Sequence, residues 1–427
     1  MEFTKSHDVA DLEESMIGNH VTLGGWIEDL RKMGKIVFVT LRDASGRCQI
    51  VAKGQAGSDI SSMSRQSVIR VHGTLQATKS HDFDFEVNAD SVQLLTEAVH
   101  PLPVDPMGRL QSNIDTRLNH RALDMRNPRT SAIFRIRHTA LQSIRNYLAK
   151  RYIEITTPKI IGSASEGGAN LFSLEYFGRT AYLAQSPQLY KEQMTLGLER
   201  VFEVSNFYRA ENSNTGRHLT EFTSVDIEAA FMDYTDVMHT LETLIYKIMQ
   251  DVQHTCISQL SSIPHQLTAP ATPFEVITYE DALREVNEHG HKLKFGDDLQ
   301  DAHLRIVGEN HPGFYFLTDW PMSLKPFYIM GKDGNPEISK SFDLQYGHLE
   351  LSSGGTRLHN ADMIKERLIQ QGLNPEQFTE HLGVFKCGMP PHSGWGMGLD
   401  RLMTILTGTS NVREVVLYPR DPVRLLP

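Results

Sequence analysis

Pro101, Pro103 and Pro106 fall within the stretch His100-Pro101-Leu102-Pro103-Val104-Asp105-Pro106, and no regular element can cross it. Each proline fixes φ near one value and removes a backbone donor, so helix and sheet ladders both stop there. A chain of 427 residues is in any case too long for one typical domain, and the break divides it unequally. We place a front domain at residues 1–100, a hinge or linker at 101–127 and a large domain at 128–427.

The front domain shows short alternating runs punctuated by glycine: Val21 to Ile27, Ile36 to Arg42, Cys48 to Ala52, Ser67 to Gly73 and Phe85 to Leu94. Five such strands so close together predict a small closed β-barrel, and the OB fold is the common five-stranded solution for binding nucleic acid. The formal net charge of −10 argues against a general nucleic-acid coat, because phosphate contacts need lysine and arginine on the contact face. A nucleic-acid contact must therefore be local. Arg31, Lys32, Lys35, Arg42, Arg47 and Lys53 offer one, with Asp43 as the sole acid among them.

The large domain opens with Asn127 as N-cap and Pro128 at the first helical position, and Ile133, Ile136, Ala140, Ile144 and Tyr147 then recur at helical spacing to about Lys150. The strand-like Tyr152 to Pro158 follows. Beyond it, strands and helices mix without βαβ alternation, and no GxxxxGK[ST] or GxGxxG loop occurs, which argues against a P-loop or Rossmann nucleotide fold. Phe222, Ser224, Asp226 and Glu228 alternate with apolar neighbours, as in an antiparallel sheet with one wet face. Stretches near 236 to 260 and 279 to 289 read as helices outside it. The predicted class is α+β: a barrel followed by a mixed, mainly antiparallel sheet flanked by helices.

Cys48, Cys256 and Cys387 are too few and too scattered for a disulfide framework or a CxxC metal motif, which fits a reducing cytoplasm. Met1 to His20 lacks the basic start and apolar core of a signal peptide, and no run of about 18 apolar residues occurs. A cytoplasmic protein without membrane spans is expected.

Two distant stretches carry the chemistry: Tyr208-Arg209-Ala210-Glu211 followed by Arg217-His218, and Gly396-Met397-Gly398-Leu399-Asp400-Arg401. The first places Arg209 and Glu211 on one face of a strand-like run, and the second sets an arginine at a helix start behind spaced glycines. Any one of these residues is an ordinary surface type, whereas the combination is specific. The pair resembles motifs 2 and 3 of class II aminoacyl-tRNA synthetases, and the helix, strand and Pro158 resemble motif 1, which forms the dimer interface in that family. Asp115-Thr116-Arg117-Leu118-Asn119-His120-Arg121, with Asp124 and Arg126, resembles the linker of the aspartyl subgroup of archaeal and eukaryotic type.

The resemblance implies a homodimer that joins aspartate to tRNA(Asp), with tRNA(Asn) left open as a second acceptor, using ATP and Mg2+. Arg209 would bridge the amino-acid carboxylate and the α-phosphate, a task that suits a guanidinium fork. Glu211 would accept from the adenine amino group and Phe222 would stack on the base. Arg217 and His218 would reach the outer phosphates, and Arg401 the terminal one. Ala210, Leu219, Gly398, Leu399 and Asp400 complete the implied ATP site, and Gly396 and Gly398 would permit close backbone approach. Glu350 and Ser353 match the metal-binding positions.

For the amino acid, Gln188, Leu189, Tyr190 and Lys191 open a helix behind Ser186-Pro187, and Lys191 with Arg357 offers two cations to a substrate carboxylate. Such cations left unpaired in a closed pocket would reject a neutral side chain. Glu166, in a glycine-hinged lid, and Asp343 would meet the substrate or its ammonium group. On the barrel, Phe38 and Gln49, joined by Arg31, correspond to anticodon-contacting positions. Glu28 departs from the aromatic or histidine often found there, so strictness towards the last anticodon base stays open. Three rivals remain: an asparaginyl-tRNA synthetase, a non-catalytic RNA-binding paralogue, and an amide-forming paralogue that would lack the barrel.

Overall fold

The computed structural model describes residues 4–162, 171–212 and 216–427. It divides into two compact units, residues 1–127 and 128–427.

In the first unit, strands β1 (His20–Met33), β2 (Ile36–Arg42), β3 (Arg47–Lys53), β4 (Val68–Ala77) and β5 (Phe85–Thr96) close into a barrel of order β1-β2-β3-β5-β4. Period-two alternation sends Val21, Leu23, Val39, Leu41, Ile50, Val71, Leu75 and Val87 inward. A short helix, α1 (Gly54–Ser61), adds Ala56 and Ile60 to the same core and had no signal in the sequence pattern. After the proline stretch come two helical turns, Ile114–Asn119 and Arg121–Asp124, the latter tied by a buried Arg121–Asp124 pair at 3.0 Å.

The second unit starts on helix α2 (Pro128–Leu148), which buries Ile133, Ile136, Ala140 and Ile144. Its sheet contains β6 (Ile153–Glu154), β7 (Arg200–Tyr208), β8 (Glu221–Ala230), β9 (Glu275–Thr278), β10 (Phe314–Thr318), β11 (Ser341–Tyr346), β12 (Leu349–Thr356) and β13 (His392–Gly398). The order is β9-β10-β11-β12-β13-β8-β7-β6, antiparallel except at the edge pairs β9 with β10 and β7 with β6. Helix α2 and helix α4 (Tyr234–Thr255) share a core with one face of the sheet, including Val225, Ile227, Leu344, Leu351, Trp395 and Met397. The opposite face carries Ser224, Asp226 and Glu228. Helix α3 (Gln188–Leu198) follows the turn at Ser186, whose Oγ accepts from Gln188 N at 3.0 Å, so the helix begins one residue later than the sequence predicts. Helix α5 (Leu399–Thr407) leaves β13 at Gly398.

Candidate functional site

A cavity of about 390 Å³ lies over the polar face of this sheet. Arg209, Glu211, Arg217, His218, Leu219, Phe222, Gln188, Glu350, Ser353, Arg357, Gly398, Asp400 and Arg401 all line it, so residues far apart in the chain meet in one place. The sheet explains the convergence. β13 runs antiparallel to both β8 and β12, so the starts of β8 and β12, the end of β13 and the start of α5 open on the same side.

Strand β7 ends at Tyr208, and Arg209 to Asn212 lie beyond it, contrary to a strand through Glu211. The ladder still reaches Arg209, whose N donates to Thr220 O at 2.9 Å, and both Arg209 and Glu211 face the cavity. The Arg209 guanidinium lies 5.2 Å from the centre of the Phe222 ring, a cation–π arrangement that presents an aromatic plane and a fork together. Arg217 pairs with Asp301 and lies 2.7 Å from His348 Nε2, while Arg401 Nη1 donates to Glu350 O at 2.7 Å. Enclosure, then the cations Arg401, Arg217 and Arg209, hold the His218 imidazole below its usual pKa, so it is neutral at pH 7.

The acidic wall is equally defined. Glu350 has surface accessible to water, yet protein around its carboxyl, then the Asp343 carboxylate, holds its pKa above the usual carboxylate range. Asp343 Oδ2 accepts from Lys325 Nζ at 2.9 Å, and its other oxygen is buried with no hydrogen bond. Two carboxylates with an orphaned oxygen, beside the Ser353 hydroxyl, are the hard donor set that suits Mg2+.

The two cations expected to stand unpaired are paired. Lys191 Nζ sits 3.0 Å from Asp226 Oδ1 and 3.5 Å from Glu228 Oε2, and the Arg357 fork engages Glu228 at 3.0 and 3.3 Å. All four side chains are buried. Burial opposes charge on Arg357, but Glu228 more than offsets it and raises its pKa. Lys191 is thus not itself on the cavity wall; it lies beneath Asp226, which is.

Other expectations need correction. Leu189 packs on the cluster that contains Phe327 and Leu358, Tyr190 on that of Ile161, Ala184 and Phe207, and Leu399 is fully buried in the main core; none of the three belongs to the cavity lining. Ala210 also lies off the lining, and Asp343 sits behind Lys325. Asp400 lines the cavity with both oxygens engaged, one by Arg137 at 2.6 Å and one by Thr223 N at 2.8 Å, which makes it a tether between α2, β8 and α5. At Gly394 a Cβ would meet the backbone of the neighbouring strand, Ile227 O, at 2.2 Å, whereas at Gly396 it would meet the buried Asp226 Oδ1 at 2.9 Å. Glu166 lies outside the described residues.

Sequence reasoning missed Asp226, Lys325, Tyr328, Gln185 and Ser186 as lining residues. Asp226 was signalled by the polar alternation through Glu228. Lys325 had no local signal, because a turn at Met322–Leu324 delivers it.

On the barrel, Arg31 and Phe38 are direct cross-strand partners, and Gln49 lies opposite Thr40 on the same outer face. Gln49 Nε2 donates to Glu86 Oε2 at 2.8 Å. Glu28 sits at an irregularity of β1 and is buried between Arg42 at 3.4 Å and Arg47 at 3.3 Å.

Residues 113–422 match the family of class II tRNA synthetases (D, K and N), and residues 21–95 match the OB-fold nucleic acid binding domain. The aspartate--tRNA(Asp/Asn) ligase of Methanothermobacter thermautotrophicus is 43% identical over 99% of this chain and 98% of its own length. The aspartate--tRNA(Asp) ligase of Picrophilus torridus is 44% identical over 98% of this chain and 99% of its own length. Among solved structures, asparaginyl-tRNA synthetase from Pyrococcus horikoshii complexed with asparaginyl-adenylate superimposes with a TM-score of 0.94 at 29% identity, covering 100% of both chains. Aspartyl tRNA synthetase from Entamoeba histolytica gives 0.85 at 28% identity over 99% of this chain and 92% of its own. With a barrel of the matching kind and a cavity that gathers both arginine motifs, the chain belongs to the class II tRNA synthetases of the D, K and N group.

Proposed function

We propose that the protein is an aspartate–tRNA ligase that activates L-aspartate with ATP and transfers it to tRNA(Asp). The observation that carries the reading is the single cavity lined by Arg209, Arg217, Arg401 and Arg357 above the buried Lys191. The full-length relatives named as aspartate ligases support the choice of substrate.

In the first step an aspartate α-carboxylate oxygen attacks the α-phosphorus of ATP in line, the bond to the bridging oxygen breaks, and pyrophosphate leaves. Positioning and charge neutralisation are the main tasks of the protein. Arg209 bridges the carboxylate and the α-phosphate, Arg217 and Arg401 hold the outer phosphates, and the Phe222 ring and Glu211 receive adenine. Glu350, Ser353 and Asp343 would hold Mg2+, which supplies charge neutralisation on the phosphates. In the second step the 3′-hydroxyl of the terminal ribose attacks the aspartyl carbonyl carbon and AMP leaves.

Because Lys191 and Arg357 are already paired, selection of an acidic side chain would work by exchange: the substrate carboxylate takes a share of hydrogen bonds now given to Asp226 and Glu228. The same pairing keeps an asparaginyl-tRNA synthetase as the second reading, since a charge-balanced pocket is less hostile to a neutral amide. Arg31, Phe38 and Gln49 would meet the anticodon. The working form would be a homodimer in the cytoplasm, and exposed Ile153 and Phe231 on the second unit are suited to a partner surface.

ATP–pyrophosphate exchange decides between the readings: aspartate should stimulate it and asparagine should not, and the reverse result would reverse the assignment. Charging separately purified tRNA(Asp) and tRNA(Asn) with labelled aspartate then defines the acceptor.

A further inference from the structure

We propose that His20, His72 and Asp90 form a zinc site on the outer wall of the barrel, unconnected with the catalytic magnesium chemistry. One ligand atom from each of the three residues lies within 4.8 Å of the others. Two imidazoles and a carboxylate are a donor set that suits Zn2+ and not Mg2+, which takes oxygen ligands.

The fold builds this arrangement. His72 on β4 faces Thr22 across the ladder and His20 on β1 faces Thr74, so the two histidines are diagonal neighbours on the outer surface. The β4–β5 ladder slips at the next step: Gly73 pairs with Ala89 and His72 with Ser91, which leaves Asp90 as the extra residue of a bulge. A bulge re-aims its unpaired side chain, and here Asp90 Oδ2 comes 3.3 Å from His20 Nδ1. The bulge requires glycine at 73, where a Cβ would stand 2.1 Å from Asn88 O. His72 is also oriented, with Nδ1 3.0 Å from Thr22 Oγ1. When Nδ1–H donates to that hydroxyl, Nε2 carries the lone pair, the outer-sphere arrangement common for metal-bound histidine.

Tetrahedral zinc sets its ligand atoms roughly 3.3 Å apart, so closure asks for movements of about 1.5 Å. All three side chains are exposed; closure would shift the His20 ring, now stacked on His72 with centroids 5.4 Å apart and 3.3 Å from Asp90, and a water can complete the coordination. Bound zinc would staple β1, β4 and β5, which are adjacent in the barrel.

The test is a zinc titration of the untagged full-length protein at pH 7.5 against a chromophoric chelator. Wild type should bind one more Zn2+ than His72→Ala, and Asp90→Asn, which keeps size and shape, should weaken that extra ion at least tenfold. Millimolar Mg2+ should not displace it. If wild type and Asp90→Asn bind the same number of zinc ions equally tightly, the proposal is overturned. The Asp90→Asn arm stands even if His72→Ala fails to fold. Displacement by Mg2+ would likewise overturn it.

Discussion

Gly394 on β13 lies directly across from Glu228 on β8, and a Cβ on Gly394 would stand 2.3 Å from Glu228 Oε2 and 2.2 Å from Ile227 O. The absence of a side chain at 394 is therefore what allows a carboxylate to be buried at 228, where it grips Arg357. Gly394→Ala must displace backbone as well as the carboxylate, so it should destabilise the second unit by at least about 3 kcal/mol, the upper range for overpacking. An unchanged urea midpoint would show that the sheet yields more easily than this geometry implies.

Glu228→Gln probes the same cluster from its acidic side. It leaves Lys191 with Asp226 alone and removes the carboxylate that the Arg357 fork grips, among side chains that are nearly fully buried. Removing one member of a buried ionic group typically costs about 3–5 kcal/mol, because an uncompensated charge remains. Denaturant unfolding should report a loss of that order, and the variant should also bind aspartate more weakly, since both cations move. A stable variant with wild-type aspartate affinity would show that the cluster is neither structural nor selective.

How far the site could be read in advance depended on whether its residues share a local pattern. The alternation from Phe222 to Glu228 announced a polar face, and the structure puts Phe222, Ser224 and Asp226 on the cavity wall. The barrel followed from five alternating runs, though β1 continues to Met33, well past Ile27, because pairing with β2 extends it. What stayed hidden was pairing. Sequence presents Lys191 and Arg357 as two cations but does not say that residues 226 and 228, on a strand between them in space, neutralise both. Neighbourhood in a motif misled in the other direction for Leu189, Tyr190 and Leu399, because a helix turns successive residues to different faces.

Glu350 offers a pH test. Its pKa is raised by enclosure and then by Asp343, so near its folded pKa part of the population is protonated and cannot ligate a cation. Mg2+ binding must then release a proton, and affinity should rise with pH from above the ordinary carboxylate value of about 4.5 until Glu350 is fully ionised. Calorimetry of Mg2+ binding in two buffers of different ionisation enthalpy should detect this proton release at acidic pH, and Glu350→Gln should abolish it together with most binding. A Mg2+ affinity that stays constant as pH falls through the whole carboxylate range would remove Glu350 from the metal site.

The thiols should react unequally. Cys387 is exposed, whereas Cys48 is buried in the barrel with its pKa pushed up to about 12 by burial and then by Glu86 and Asp43, and Cys256 is buried against Thr139 at 3.2 Å. The thiolate is the reactive form, so a native-state disulfide reagent at pH 8 should label Cys387 quickly and the other two only after unfolding. Rapid labelling of all three in the native protein would contradict the burial of Cys48 and Cys256.

His311 supplies a pH-dependent stability term whose sign follows from its surroundings. Burial works against its charge, but Glu285 and Glu275, each 2.9 Å from a ring nitrogen, outweigh burial and raise its pKa. A histidine with a raised folded pKa stabilises the native state fully below the unfolded value of about 6.5, and that contribution is lost as pH rises through the folded pKa. It joins β9, helix Tyr279–Glu288 and the start of β10, so the loss should be felt at one edge of the sheet. Urea unfolding of wild type should show stability falling as pH rises above about 6.5 and through the folded pKa, relative to His311→Gln, which cannot titrate. Parallel pH profiles for the two proteins would mean that the paired glutamates hold His311 without shifting its proton.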